Sequence, residues 1–315
     1  MTNAYEHVGR VRAEMDRVVV DHPRMRLAHD RFNYLMAHGQ AAGRAPKRGV
    51  LMVGPSQSGK SKIIDTFATR ANKPELIADG HIPVLVVTLN ANITTKMLAQ
   101  NVLRKLGSYG FFTGPYSGNE DELVARVHSS LLAARVGLMV LDEFHHLNHI
   151  EKAKKAYVVG EMLKVILETG VCPLVLSGIA EAEQPFTENS QLSQRSEPTI
   201  RLDRLRSESL ADRVLLKEFL EAYLPRIGKV SGVTNMTSLL NANDVARIHE
   251  VTDGVLGAAC NLIKAIASNA LLDGRTRMEG ADIVRAVDEG FILTQLFKKG
   301  NPFAAREGGQ GEKVA

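Results

Sequence analysis

The chain has 315 residues, 44% hydrophobic and 23% charged, with 39 Lys and Arg against 35 Asp and Glu, so its formal charge is +4 and its pI about 9.0. This length exceeds one average domain, and the composition excludes disordered, collagen-like and disulfide-stapled classes while leaving enough apolar residues for a sizeable core. The mild basic excess permits nucleic-acid contact without requiring it, and the two cysteines, Cys172 and Cys260, far apart in apolar segments, read as buried free thiols of a reducing compartment.

The opening stretch MTNAYEHVGRVRAEMDRVVV mixes charges throughout and has no apolar region of signal-peptide type. No apolar run approaches the length of a membrane span, so a soluble, cytoplasmic protein with no membrane partner is expected. Residues 1–45 read as an N-terminal helical segment interrupted at Asp21-His22-Pro23, with Pro23 opening its second helix. Gly39 to Arg48 reads as a loop. Gly49 to Phe67 then runs GVLMVGPSQSGKSKIIDTF, a buried strand, a glycine-bounded loop and a helix. Within it Gly54-Pro55-Ser56-Gln57-Ser58-Gly59-Lys60-Ser61 fits G-x-x-x-x-G-K-[ST] without mismatch.

The chemistry needs that spacing. Glycines at both ends let several backbone N–H groups turn toward phosphate oxygens, and the helix opening at Gly59 adds its partial positive charge. Lys60 reaches the β- and γ-phosphates, the Ser61 hydroxyl binds Mg²⁺, and Lys62 follows in the first helical turn. A chance match in an ordinary turn is the alternative. The apolar strand Val50 to Val53 before the loop and the stripe Ile63, Ile64, Phe67 behind it weigh against it.

His81 to Leu89 reads as a strand buried on both faces. Helices are expected over Thr94–Leu106 and Asn119–Arg135, separated by the irregular loop Gly107–Gly118, whose aromatics either stack on bases or pack under the loop. Val136 to Glu143 is an apolar strand ending in two acids, which puts both carboxylates at the sheet edge where open α/β sheets bind ligands. Asp142 would hold Mg²⁺, and Glu143 would polarise the water attacking the γ-phosphate. His145, His146 and His149 read as polar loop residues beside that site, with metal binding the weaker reading.

A helix over about Glu151–Thr169 carries Lys152, Lys154, Lys155 and Lys164, a solvated face first and a DNA-facing surface second. Val171 to Gly178 is the next strand. Its Ser177 sits where a residue sensing the γ-phosphate would lie. Gln191 to Arg195 precedes a strand over Pro198–Leu205. From Leu210 the pattern is helical: a stripe through Leu215, Leu216, Phe219, Leu220 and Tyr223 stopped by Pro225, a short helix at Val245–Val251, a long one through Val255 to Leu271, and a last at Ile283–Val287. The tail from Lys298 is rich in glycine and charge, with one apolar point at Pro302-Phe303.

Five strands alternating with helices predict an α/β fold, a doubly wound parallel sheet. One whole strand–helix unit separates the loop strand from the Asp-Glu strand, and a helical region follows the fifth strand. This order resembles the AAA+ P-loop ATPases. The runs Leu141-Asp-Glu-Phe-His-His-Leu147, Pro173-Leu-Val-Leu-Ser-Gly-Ile-Ala180, Gln191–Arg195 and Gly254-Val-Leu-Gly257 narrow the likeness to the TniB/TnsC-like ATPases of DNA transposition. The similarity spans roughly residues 15–290. It divides the chain into an N-terminal helical segment (1–45), the AAA+ domain (46–206), a helical lid (207–297) and a flexible tail (298–315).

The resemblance implies an ATPase regulator that binds ATP and Mg²⁺ between neighbouring subunits. It implies assembly as a ring or helical filament on double-stranded DNA with little sequence preference, recruitment of a transposase with a target-selection protein, and disassembly on hydrolysis. Arg195 matches the arginine finger reaching a neighbour's γ-phosphate, with Arg201, Arg204 and Arg206 as alternatives. Relatives track DNA with the segment after the second strand, which maps onto Thr94, Thr95 and Lys96, with Arg104 and Lys105 further along; caps and soluble lysines are the competing reading. There is one departure: Gly257 is followed by Ala258, Ala259 and Cys260, where many lids carry an arginine, and Lys264 is a poor substitute. A replication initiator or helicase loader, and a nucleotide-switched scaffold acting only through proteins, are the rival readings.

Overall fold

The computed structural model describes residues 2–90, 93–147, 153–183 and 193–304, with the backbone alone at 2–3, 146–147 and 153–158. Its chain divides into two compact units, one formed by residues 23–203 and the other by 1–22 together with 204–315.

The first unit is built on five parallel strands: β1 (Gly49–Val53), β2 (Val84–Thr88), β3 (Leu138–Asp142), β4 (Leu174–Gly178) and β5 (Ser196–Arg201), in the spatial order β2-β3-β4-β1-β5. The four inner and β2-side strands are almost wholly apolar. One set of alternating residues, including Leu51, Val53, Leu85, Val87, Met139, Leu141, Leu174 and Leu176, joins a core with helices α5 (Thr95–Ser108), α6 (Glu120–Ala133) and α7 (Ala153–Glu168). On the other face lie α2 (Pro23–Ala41) and α3 (Lys60–Ala71), which pack against each other through His29, Phe32 and Phe67. The short α4 (Pro74–Ala78) lies between α3 and β2 and has no buried residue; it was not legible as a helix. β5 is an edge strand with one buried residue, Ile200. It starts two residues before and ends four before the stretch the pattern suggested, because a mostly polar edge strand carries little periodic signal.

The loop after α5 uses its aromatics for packing. Tyr109, Phe111, Phe112 and Tyr116 lie partly buried against the core.

The second unit is helical: α1 (Thr2–Arg17), α8 (Leu210–Ser231), α9 (Ala242–Thr252), α10 (Leu256–Leu272) and α11 (Gly280–Val287), which runs on into a π-turn at Asp288–Ile292. α1 packs on α8 and α10, giving Met15 and Val20 to their core. The expected 1–45 segment is therefore divided. Its first helix belongs with the C-terminal helices, and its second covers the sheet. α8 also corrects the reading at Pro225, since it continues to Ser231 with that proline inside it. Leu224, Ile227 and Ser231 prolong its buried stripe, and the packing outweighs the one hydrogen bond that proline removes. The tail is anchored as far as Phe303, which is fully buried under the Arg247 guanidinium, 5.6 Å above its ring; residues 305–315 lie outside the described residues. Among the described residues, no single helix is long and apolar enough to cross a membrane.

Candidate functional site

All five strands run the same way, so their C-terminal ends form one edge. The Gly54–Ser61 loop follows β1 there, β3 delivers Asp142 and Glu143, and β4 ends at Ser177 and Gly178. Gly54 is required by close approach. A Cβ there would lie 2.8 Å from the Leu202 Cβ and 2.7 Å from the Ser58 hydroxyl. Gly59 is the N-cap of α3 with φ of 95°, in the left-handed region that a side chain disfavours. Gln57 in the loop also has a positive φ.

Lys60 opens α3 and is buried. Its ammonium donates to the carbonyls of Gly54 (2.8 Å) and Pro55 (2.9 Å) and stands 3.4 Å from the Ser58 hydroxyl. Burial lowers its pKa from the ordinary lysine value, and the Glu143 and Asp142 carboxylates oppose the shift. An ammonium already gathered over loop carbonyls can exchange them for phosphate oxygens, a charge-assisted and stronger pairing. Ser61 donates to Asp142 Oδ2 at 2.7 Å, joining the loop to the end of β3. Lys62, Ser56 and Ser58 complete the loop and the first turn of α3.

Glu143 has a φ of 61°, a conformation costing a non-glycine residue about 1–2 kcal/mol. Its N–H donates to Asp142 Oδ1 at 3.0 Å, and its Oε2 lies 3.4 Å from His145 Nε2. The strained turn sends Glu143 out beside Lys60 instead of letting β3 continue. Ser177 is wholly buried, and its hydroxyl has no hydrogen-bond partner among the described residues. It registers with Met52 across the β1–β4 pair.

Arg195 lies at the other edge. Its carbonyl accepts from the Gly49 N–H (3.0 Å) at the start of β1, and its guanidinium pairs with Glu168 at 3.3 Å, half exposed. β1 spans roughly 16 Å at strand rise, so Arg195 is separated from its own phosphate loop by the length of the sheet. Of the alternatives, Arg201 is held by Glu183 through two hydrogen bonds (2.6 and 3.1 Å), Arg204 pairs with Asp253, and Arg206 is exposed near Asp212. In the helical unit Lys264 is tied to Asp16 of α1 at 2.5 Å, and Ala258 and Ala259 are buried.

The residues proposed for DNA do not act alike. Thr94 is the N-cap of α5 and accepts from the Met97 N–H at 3.2 Å. Thr95 is 5% exposed, so it presents little surface. Lys96 is exposed. Arg104 lies over the Tyr116 ring and Lys105 over that of Tyr109. His149 and Lys152 lie outside the described residues, as do the side chains of His146, Lys154 and Lys155. Among the described residues, no group of three or more His, Cys, Asp or Glu converges to hold a metal ion.

A parallel sheet ordered β2-β3-β4-β1-β5, a G-x-x-x-x-G-K-S loop after β1, an Asp-Glu pair after β3 and a C-terminal helical region define an AAA+ P-loop NTPase fold. The family model described as "Bacterial TniB protein" matches residues 10–205. The chain belongs to this family. No curated protein matches it. Among solved structures it is similar to the ORC2 protein of Aeropyrum pernix in its ADP form, at 16% identity and a TM-score of 0.62, over 89% of this chain and 72% of that one. It is also similar to Cdc6p of Pyrobaculum aerophilum at 15% identity and 0.56, over 87% and 69%. The Aeropyrum pernix ORC1 protein in complex with DNA matches at 16% and 0.56, over 86% and 66%. At these identities the likeness is one of fold.

Proposed function

We propose that the protein is an ATP-dependent regulator of DNA transposition. It would oligomerise on duplex DNA, recruit or activate a transposase together with a target-selection protein, and be released by hydrolysis. The observation that carries the reading is the joining of the phosphate loop to the acid pair through Ser61 and Asp142 in a chain of the TniB family. The ADP-bound ORC2 structure and the DNA-bound ORC1 structure support nucleotide and DNA as ligands of this fold.

In the proposed cycle, backbone N–H groups of Gly54 to Gly59 and the Lys60 ammonium hold the β- and γ-phosphates. Ser61 and Asp142 offer hard oxygens 2.7 Å apart, the donor chemistry Mg²⁺ takes, and would hold the ion. When bound, the ion offsets charge on the phosphate oxygens. Glu143 orients the attacking water and accepts its proton, while Ser177, a buried hydroxyl at the same edge, registers the γ-phosphate. Arg195, at the far edge of its own sheet, acts on the next subunit's nucleotide. Lys96 and the ring-backed Arg104 and Lys105 would meet DNA phosphates, giving sequence-tolerant, salt-sensitive binding.

The test is a salt titration of duplex binding with and without a non-hydrolysable ATP analogue, run on the native protein and on Lys60→Ala. The expected result is cooperative binding that needs the analogue and falls steeply with salt, and that Lys60→Ala abolishes. Absent DNA binding would leave the scaffold reading standing instead, and nucleotide-independent binding would overturn the proposed coupling of nucleotide to DNA. The likeness to ORC and Cdc6 proteins favours an initiator-type loader as a second reading. Retention of the transposase on DNA only in the presence of nucleotide separates the two.

A further inference from the structure

His145, in the run that follows the acid pair, contacts the proposed base. Its Nε2 is 3.4 Å from Glu143 Oε2. The histidine is in turn fixed by the end of β4. A Cβ on Gly178 would come within 3.1 Å of the His145 backbone nitrogen, 3.4 Å of its Nδ1 and 2.8 Å of the Ala182 Cβ. Only a glycine at 178 lets the turn after β3 close over the strand. The Gly178 carbonyl also accepts from the Gly54 N–H at 3.2 Å. One residue thus ties the phosphate loop to the imidazole, and the imidazole touches the glutamate.

A general base on a flexible side chain is more effective when a third group fixes its orientation. Glu143 already carries an unusual backbone conformation, which aims the side chain but leaves its torsions to be set by neighbours. We propose that His145 is the positioning residue for Glu143. Its Nε2–H donates to Oε2 and so holds the carboxylate toward the attacking water. This inference rests on the proposed role of Glu143. In the step it serves, the water oxygen bonds to the γ-phosphorus and the bond to the ADP oxygen breaks, its electron pair leaving with ADP. The water proton passes to the Glu143 carboxylate and then to solvent.

The experiment compares ATP turnover, nucleotide affinity and melting temperature for His145→Ala, His145→Gln, Glu143→Gln and the double variant His145→Ala/Glu143→Gln. His145→Ala is expected to lower kcat by about 10–100-fold, the range for partners that orient an active group, with nucleotide affinity and melting temperature unchanged. His145→Gln, whose amide N–H can reach the same oxygen, should recover most of that loss, and the double variant should be no slower than Glu143→Gln alone. The proposal is overturned if His145→Ala turns over at the native rate, if glutamine rescues nothing, or if the double variant loses a further 10-fold. It is also overturned if His145→Ala loses affinity and melting temperature together with rate. Should Glu143→Gln itself keep the native rate, the assignment of the base falls and this inference with it; an inactive Glu143→Gln beside a fully active His145→Ala sinks the inference alone.

Discussion

At the scale of single residues, the Ser61 hydroxyl and the Asp142 carboxylate lock the phosphate loop to the end of β3. Lys60, Ser61 and Asp142 were readable because phosphate chemistry fixes their types and spacing, and the structure brings all three together. The orientation of Glu143 was not, since a left-handed φ at a non-glycine residue has no sequence signature, and its contact with His145 depends on a glycine some thirty positions later. Thr95 was hard to read for a related reason: a threonine at a helix start looks the same whether its side chain is covered or open to solvent. Cys172 shows burial in a measurable form. Desolvation pushes its thiol up to about 12, with Lys47 opposing. Between the free-thiol value near 8.5 and that point, the unfolded chain holds fewer protons than the folded one, so stability falls as pH rises through this window. Comparing native protein with Cys172→Ala by denaturant titration from pH 8 to 10.5 should remove that part of the slope. Identical slopes would mean the thiol is not buried as described.

At the level of elements, the four apolar strands were legible because both of their faces are covered, which leaves unbroken runs of Val, Leu and Met. β5 and the course of α8 were not. An edge strand with one buried side chain gives no alternation to read, and a proline is a local veto that tertiary packing can override. Replacing Pro225 should reveal what that override costs. Pro225→Ala restores a backbone donor and relieves the ring, and is expected to stabilise the protein on the order of 1–3 kcal/mol, less a few tenths to 1 kcal/mol for a looser unfolded chain. Thermal unfolding reads the difference. A drop in melting temperature would mean that the proline ring fills space the core needs.

For the whole molecule, Arg195 stands the length of a strand from its own phosphate loop, so its proposed role as a finger requires a neighbouring copy of the chain. Arg195→Ala and Glu143→Gln should each abolish turnover alone. Mixed in equal amounts they should regain roughly a quarter of native activity, the random share of interfaces pairing an intact pocket with an intact finger in a head-to-tail assembly. No recovery on mixing would remove Arg195 from that role and return attention to Arg201 and Arg206. The interleaving of the two units was the least legible feature of all, because no local pattern says that a helix at the start of a chain will find its partners nearly two hundred residues later.

That interleaving has a consequence during synthesis. The ribosome releases α1 long before α8 and α10 exist, and at 5–20 residues per second the intervening stretch takes roughly 10–40 s to emerge. Throughout that delay Met15 and Val20 have no native surface to cover them, while the sheet can already be folding. The helix α1 thus waits long for its place, and early protection of its apolar face by a chaperone would matter.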